Sequence, residues 1–201
     1  MEVNEILYKR QKSLKLDTNQ SVTIVGLGGI GFWVAKFLAM AGIEKMYIFD
    51  FDVIEEHNLN RLDLPARFIG RNKADIVKLV IETIRPDCSV ISMPFKFNDN
   101  HQTGTDWLID CTDKLAAQQE NQKIANKQNM RYVKAGYDGE DFSINNSVAE
   151  WGEAVDGYVT IPSYVVPAVL IASMTVAKVL KYKNSEFSGN IKGFFGSHRI
   201  K

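Results

Sequence analysis

The chain has 201 residues, with 24 basic and 24 acidic side chains, 45% hydrophobic residues and two cysteines. That is the make-up of a soluble globular protein, long enough for one domain with a sizeable core and too short for two ordinary ones. Balanced charge gives no global field for nucleic acid or an anionic membrane, and Cys88 and Cys111 form neither a C-x-x-C pair nor a disulfide framework.

In chain order, residues 4–16 (NEILYKRQKSLKL) read as a short amphipathic N-terminal helix or arm, with Ile6, Leu7 and Leu14 set among lysines and arginines. The first sixteen residues are polar and charged and carry no apolar signal-peptide core, so the expected location is the cytoplasm. Residues 21–52 (SVTIVGLGGIGFWVAKFLAMAGIEKMYIFDFD) organise the rest. A β-branched strand, Val22-Thr23-Ile24-Val25, runs into a G-x-G-x-x-G turn at residues 26–31. In such a turn the first glycine permits the tight bend and the second lets backbone N–H groups approach a phosphate. The third lets helix pack on strand, and the helix N-terminus faces the anion. A helix follows to Ala41, stopped by Gly42, and a second strand at 46–49 ends in Asp50. That places a carboxylate roughly 20 residues past the turn, where it can accept from ribose hydroxyls.

The polar segment 51–62 (FDVIEEHNLNRL) lies at the carboxyl end of this second strand, the edge where open α/β sheets bind ligands. Residues 72–84 (NKADIVKLVIETI) have helical periodicity, with Asn72 as N-cap and Pro86 as the stop. Lys73 then sits in the first turn, against the helix dipole. It reads either as a solvated lysine or as a partner for a nearby anion. Strands are predicted at 88–93 and 105–111, then a helix from about Lys114 to Gln128 and a strand at 131–135. By position alone Asp113 is a helix cap, and two flanking carboxylates make Cys111 a core residue rather than a nucleophile. Residues 136–160 are glycine-rich and irregular, holding either a short hairpin or a long surface loop of the kind that forms a lid. Residues 161–181 are apolar enough to suggest a span, but Ser163, Pro167, Ser173 and Thr175 favour a buried core helix. Residues 189–195 are a candidate edge strand. The whole predicts an α/β, Rossmann-like, mostly parallel sheet with helices on both faces and a short antiparallel extension near the C-terminus.

Taken together, Gly26-Leu27-Gly28-Gly29-Ile30-Gly31, Asp50-Phe51-Asp52, Asn58-Leu59-Asn60-Arg61, Gly70-Arg71-Asn72-Lys73 and Asp110-Cys111-Thr112-Asp113 resemble the ThiF/MoeB/HesA family. These are the bacterial relatives of ubiquitin-activating E1 enzymes. Leu7-Tyr8-Lys9-Arg10-Gln11 is similar to that family's N-terminal R-Y-x-R-Q, and the likeness runs along most of a single 1–201 domain. It implies ATP-dependent adenylation of a carboxylate, typically the C-terminal glycine of a small ubiquitin-like or sulfur-carrier protein, or a peptide. By the resemblance, Gly26, Gly28, Gly29 and Gly31 cradle phosphates, Asp50 holds the ribose, Phe51 lines the adenine pocket, and Asp52 belongs to the same nucleotide-binding set. Asn58, Asn60, Arg61 and Lys73 belong to the phosphate site, Asp113 binds Mg²⁺, and Arg10 reaches the neighbouring subunit's site in a homodimer. The chain lacks the C-x-x-C pairs that hold zinc in some members, so no zinc is expected. No cysteine follows Cys111, so neither is a self-thioester. The same glycines and Asp50 also suit an NAD(P)-binding oxidoreductase, and a non-catalytic E1-like partner in a heterodimer is the third reading.

Overall fold

The computed structural model describes residues 6–148 and 162–195. Seven strands form one sheet in the order β3-β2-β1-β4-β5-β6-β7: β1 Ser21–Val25, β2 Lys45–Phe49, β3 Ser89–Met93, β4 Trp107–Asp110, β5 Arg131–Asp138, β6 Asp141–Asn145 and β7 Phe187–Asn190. The first five run parallel, and β6 and β7 are added antiparallel. Helices α1 (Gly29–Ala41), α2 (Lys73–Ile84) and α4 (Val165–Leu180) supply the core on one face. Helix α3 (Leu115–Lys127) covers the other, where Ile124 and Ala125 pack on Val25, Leu108 and Tyr132. A five-residue helix α5, Ile191–Phe195, follows β7.

The central strands read as uninterrupted apolar runs because they are covered on both faces: the last four residues of β1 and all of β4 are buried. Their order places the ends of β1, β2 and β4 side by side, with β1 between the other two. The crossover helix α1 leaves the end of β1, so its N-terminus lies at the carboxyl edge of the sheet. It stops at Gly42, whose left-handed φ of +110° lets its N–H reach the carbonyls of Leu38 and Ala39.

Several boundaries differ from the sequence reading. Among the described residues of the N-terminal segment, Ile6 and Leu7 are helical, residues 8–11 turn, and a 3-10 turn at Lys12–Leu14 is closed by Lys15 with φ +52°, so this part is an arm and not one continuous helix. Its apolar residues Ile6, Leu7 and Leu14 stay exposed, and the arm is pinned instead by Gln11, which donates to the Ala41 carbonyl, and by Tyr8. The ring of Tyr8 lies beside Gly42, under the Arg85 guanidinium.

The glycine-rich stretch after Ala135 contains the hairpin: β5 continues to Asp138, turns at Gly139 (φ +59°) and returns as β6. The lid reading falls in part on residues 149–160, which lie outside those described. Helix α4 starts at Val165 rather than 161 (residue 161 is itself outside the described set), and Pro167 sits in its first turn, where no N–H partner is required. The edge strand is β7, a few residues earlier than 189–195. There Asn190 ends it by accepting from the Lys192 N–H, and Ile191 opens the short helix. Among the described residues no helix is long and apolar enough to cross a membrane.

Candidate functional site

The glycine turn is set by close contact. A Cβ on Gly31 would stand 1.8 Å from the Gly26 carbonyl oxygen, and one on Gly26 (φ +86°) would meet the Cys111 backbone at 3.0 Å. Around Gly28, by contrast, a Cβ would meet nothing within 4 Å, so this glycine faces open space. The turn is thus sealed beneath and open above, which is the shape an anion needs to reach the first N–H groups of α1. The first turn of α1 holds no acidic side chain to compete with such an anion.

Three segments border this turn. The first follows β2. Asp50 is buried, and its carboxylate accepts from the Leu27 N–H in the turn (2.6 Å) and from the Asp52 N–H (2.8 Å). Burial pushes its pKa up, with Lys73 and these two N–H groups pulling the other way. Phe51, next in sequence, is exposed, as is Phe95 beyond the end of the neighbouring strand β3. Asn72 caps α2 as the sequence predicts, accepting from the Ala74 and Asp75 N–H groups, and its amide donates to the Asp50 and Asp52 carbonyls. Lys73 is thereby drawn in. Its nearly buried ammonium donates to Asp52 at 3.0 Å. An ammonium has three donors, and among the described residues no other acceptor takes the remaining two.

The second segment is the 3-10 turn Glu56–Asn60 with Arg61. Asn58 is buried and closes a capping box with Glu55. Arg61 lies directly on the glycine turn: a Cβ on Gly29 would stand 3.0 Å from its Cδ. Its guanidinium donates to the His57 carbonyl and to the Asn60 side-chain oxygen, and its own carbonyl accepts from the Trp33 indole. Asn60 also donates to the Ser163 carbonyl, so its amide braces Arg61 against the residues before α4.

The third segment follows β4. Asp110 is fully buried and accepts from the Thr112 N–H and hydroxyl, the Asn121 amide and the Tyr132 hydroxyl. These bonds fix the turn that carries Asp113. The capping expectation for Asp113 is not met: α3 begins at Leu115, Lys114 occupies the cap position, and no side chain bonds the first turn. The Asp113 carboxylate is exposed and, among the described residues, has no hydrogen-bond or ion-pair partner. Cys111 is a packed residue, as expected. Its Cβ lies near Gly31, and burial together with Asp110 drives its thiol pKa far up. Burial lowers the pKa of Lys134 on β5, while Asp110 and Cys111 oppose that shift.

The structure therefore brings the glycines, Asp50, Asp52, Arg61 and Lys73 to one turn, with the Asp113 loop lying against Gly26. Arg10 is not among them. It sits on the arm tethered at the C-terminal end of α1, a helix about 20 Å long. Two side chains that the sequence reading passed over do reach the turn: Tyr137, whose hydroxyl would stand 3.2 Å from a Gly29 Cβ, and its hydrogen-bond partner Ser163. A cleft of about 350 Å³ lined by Asp17, Asp106, Arg131 and Lys183 lies at the opposite edge, by the starts of β1, β4 and β5. There Lys183 pairs with Asp17, the Asp106 carboxylate accepts from the Ser21 N–H and hydroxyl, and the Arg131 guanidinium lies over the Trp107 ring. Among the described residues no group of three or more His, Cys, Asp or Glu side chains could hold a metal.

A parallel sheet with a glycine turn at a helix N-terminus, and with cations and carboxylates on the loops around it, defines a nucleotide-binding fold of the Rossmann type. The chain belongs to the ThiF family, whose model matches residues 2–195. The tRNA threonylcarbamoyladenosine dehydratase of Bacillus subtilis is 29% identical over 111 residues, covering 52% of this chain and 44% of that protein. The adenylyltransferase and sulfurtransferase MOCS3 of Drosophila sechellia is 34% identical over 110 residues, covering 52% of this chain and 24% of that protein. The chain thus spans less than half the length of these curated relatives. Among solved structures, Escherichia coli MccB with ATP superposes with a TM-score of 0.68 at 21% identity, over 94% of this chain and 66% of that one. That likeness is one of fold. Membership in this family does not favour the oxidoreductase alternative.

Proposed function

We propose that the protein is an ATP- and Mg²⁺-dependent adenylyltransferase that activates a carboxylate as an acyl-adenylate and releases pyrophosphate. The carboxylate would be the C-terminus of a ubiquitin-like or sulfur-carrier protein, or of a peptide. One observation carries the reading: Arg61 and Lys73, twelve positions apart in the numbering, meet the same glycine turn, Arg61 over Gly29 and Lys73 through the Asp50–Asp52 loop that clasps Leu27. The related MOCS3 is an adenylyltransferase by name, and the MccB structure of like fold holds ATP.

In this reading the attacking carboxylate is already ionised at neutral pH and needs no general base. What the site must supply is positive potential where one anion meets a polyanion and where charge builds on the leaving pyrophosphate. Arg61 and the two spare donors of Lys73 supply it from fixed positions. Asp50 holds the turn, with lone pairs left for a ribose hydroxyl, and the exposed Phe51 offers a face to adenine. The unpartnered Asp113 carboxylate has the hard oxygen chemistry that Mg²⁺ takes, and a bound ion would add charge beside the phosphates. Arg10 would act in a second copy of the chain, since its arm leads away from this chain's own turn.

The reading is tested by ATP–pyrophosphate exchange with a carrier supplied. Lys73→Ala and Asp113→Ala should each cut exchange by about 10²–10³-fold, with the melting transition retained. Exchange surviving both substitutions removes the assigned site.

A further inference from the structure

We propose that the paired hydroxyls of Tyr137 and Ser163 form a neutral hydrogen-bond donor over the glycine turn that binds a phosphate of the nucleotide beside Arg61. The inference rests on the adenylation reading for the identity of the ligand. Its geometry stands by itself.

Two hydroxyls bring two hydrogens. One lies between the Tyr137 and Ser163 oxygens, in either direction, and the other finds no acceptor among the described residues. The pair is placed where an acceptor is expected. A Cβ on Gly29 would stand 3.2 Å from the Tyr137 hydroxyl, 3.0 Å from Arg61 Cδ and 3.3 Å from the Ala168 Cβ, so three separate segments meet over the first residue of α1. Ala168 belongs to the opening of α4, whose first turn holds no acidic residue. The N-terminal turns of α1 and α4, each with a partial positive charge, therefore approach the same point.

The pair is also held in register with the guanidinium. Asn60 donates to the Ser163 carbonyl at 3.0 Å and accepts from Arg61 at 2.9 Å, so one amide ties the hydroxyls to the cation. Burial raises the Tyr137 pKa, while Ser163 and Arg61 pull it down, and the net rise keeps the phenol protonated as a donor at neutral pH. If the hairpin only needed anchoring to α4, an apolar contact would do so without burying polar oxygens. A donor poised beside a cation is what a phosphate oxygen uses.

Titration calorimetry on the full chain tests this with Mg-ATP, adenosine and inorganic pyrophosphate as probes, using Tyr137→Phe, Ser163→Ala and the double variant. Both single variants should weaken Mg-ATP and pyrophosphate by about tenfold or more and leave adenosine unchanged. The double variant should lose little beyond either single one, because the pair acts as a unit. The melting temperature of Ser163→Ala serves as the check should Tyr137→Phe fold poorly. Unchanged ATP affinity in both variants, or an equal loss for adenosine and ATP, overturns the donor pair and leaves adenylation standing. Hydroxyl-dependent pyrophosphate binding in a wild-type chain that never supports exchange keeps the donor pair and overturns adenylation. A wild-type chain that binds neither ATP nor pyrophosphate overturns both.

Discussion

The turns after β2 and β4 are built on the same plan and end in opposite electrostatic states. Each strand is followed or finished by a buried aspartate that folds the chain back over the strand ends. Asp50 catches the N–H groups of Leu27 and Asp52, and Asp110 catches Thr112, Asn121 and Tyr132. Each is followed within three residues by an exposed carboxylate. After β2 that carboxylate, Asp52, is paired with Lys73 at 3.0 Å. After β4 it is Asp113, which has no partner among the described residues. Identical residue types at nearly identical spacing thus divide into organisers and presenters by burial alone. The two presenters differ again, one neutralised and one left to attract a cation.

The sharpest way to break this comparison is to exchange the roles. Asp110→Asn cannot satisfy all the donors that now converge on the carboxylate, and should cost about 3 kcal/mol in urea unfolding. Asp113→Asn should cost less than about 0.5 kcal/mol, because an exposed, unpartnered group supports nothing. Equal losses at the two positions would mean that Asp113 is structural after all.

A second prediction sharpens the β2 side. Because burial holds the Asp50 pKa above the ordinary 3.8, the folded protein keeps a proton there that the unfolded chain has already lost. Stability contributed by Asp50 is therefore present at low pH and declines as pH rises from about 4 towards its native value. Asp50→Asn lacks that decline, so its penalty should shrink across the same window in urea titrations run from about pH 4 to 7. A penalty that grows with pH would show the carboxylate to be stabilised, not strained, by its setting.

The smallest effect concerns the thiols. Burial raises Cys88 to about 11 and Cys111 well beyond, so iodoacetamide at about pH 8 should label neither until the protein unfolds. Rapid labelling of Cys111 would mean that the β4 turn opens more readily than its packing against Gly31 suggests.

What could be read in advance was local. The glycine turn, the Gly42 stop and the Asn72 cap each declare themselves within a few residues, because a backbone angle or an orphan N–H demands a particular side chain nearby. The alternation of strand and helix followed from the same short-range signals, and with it the sheet. The misses were of another kind. Tyr137 and Ser163 lie 26 positions apart and meet Gly29 only once β5 outlasts its expected end and α4 begins later than its apolar run. Nothing within either neighbourhood signals that meeting. Position alone makes Asp113 a cap, but Asp110 holds the turn through the Thr112 N–H and hydroxyl and leaves Lys114 at the helix start, while the functional role implied by the family resemblance needs no cap. Between the helix and arm readings of the N-terminal segment the apolar residues could not choose, because its anchors are Tyr8 and Gln11.

The seat of Gly31 has a practical consequence for anyone wishing to redirect this scaffold. With only 1.8 Å between a would-be methyl group and the Gly26 oxygen, no side chain can enter without dismantling the bend. The hairpin and the approach to α4, which carry Tyr137 and Ser163, form the far bank over Gly29. The near bank, contiguous from Ser21 to Lys73, would travel as a fixed cassette.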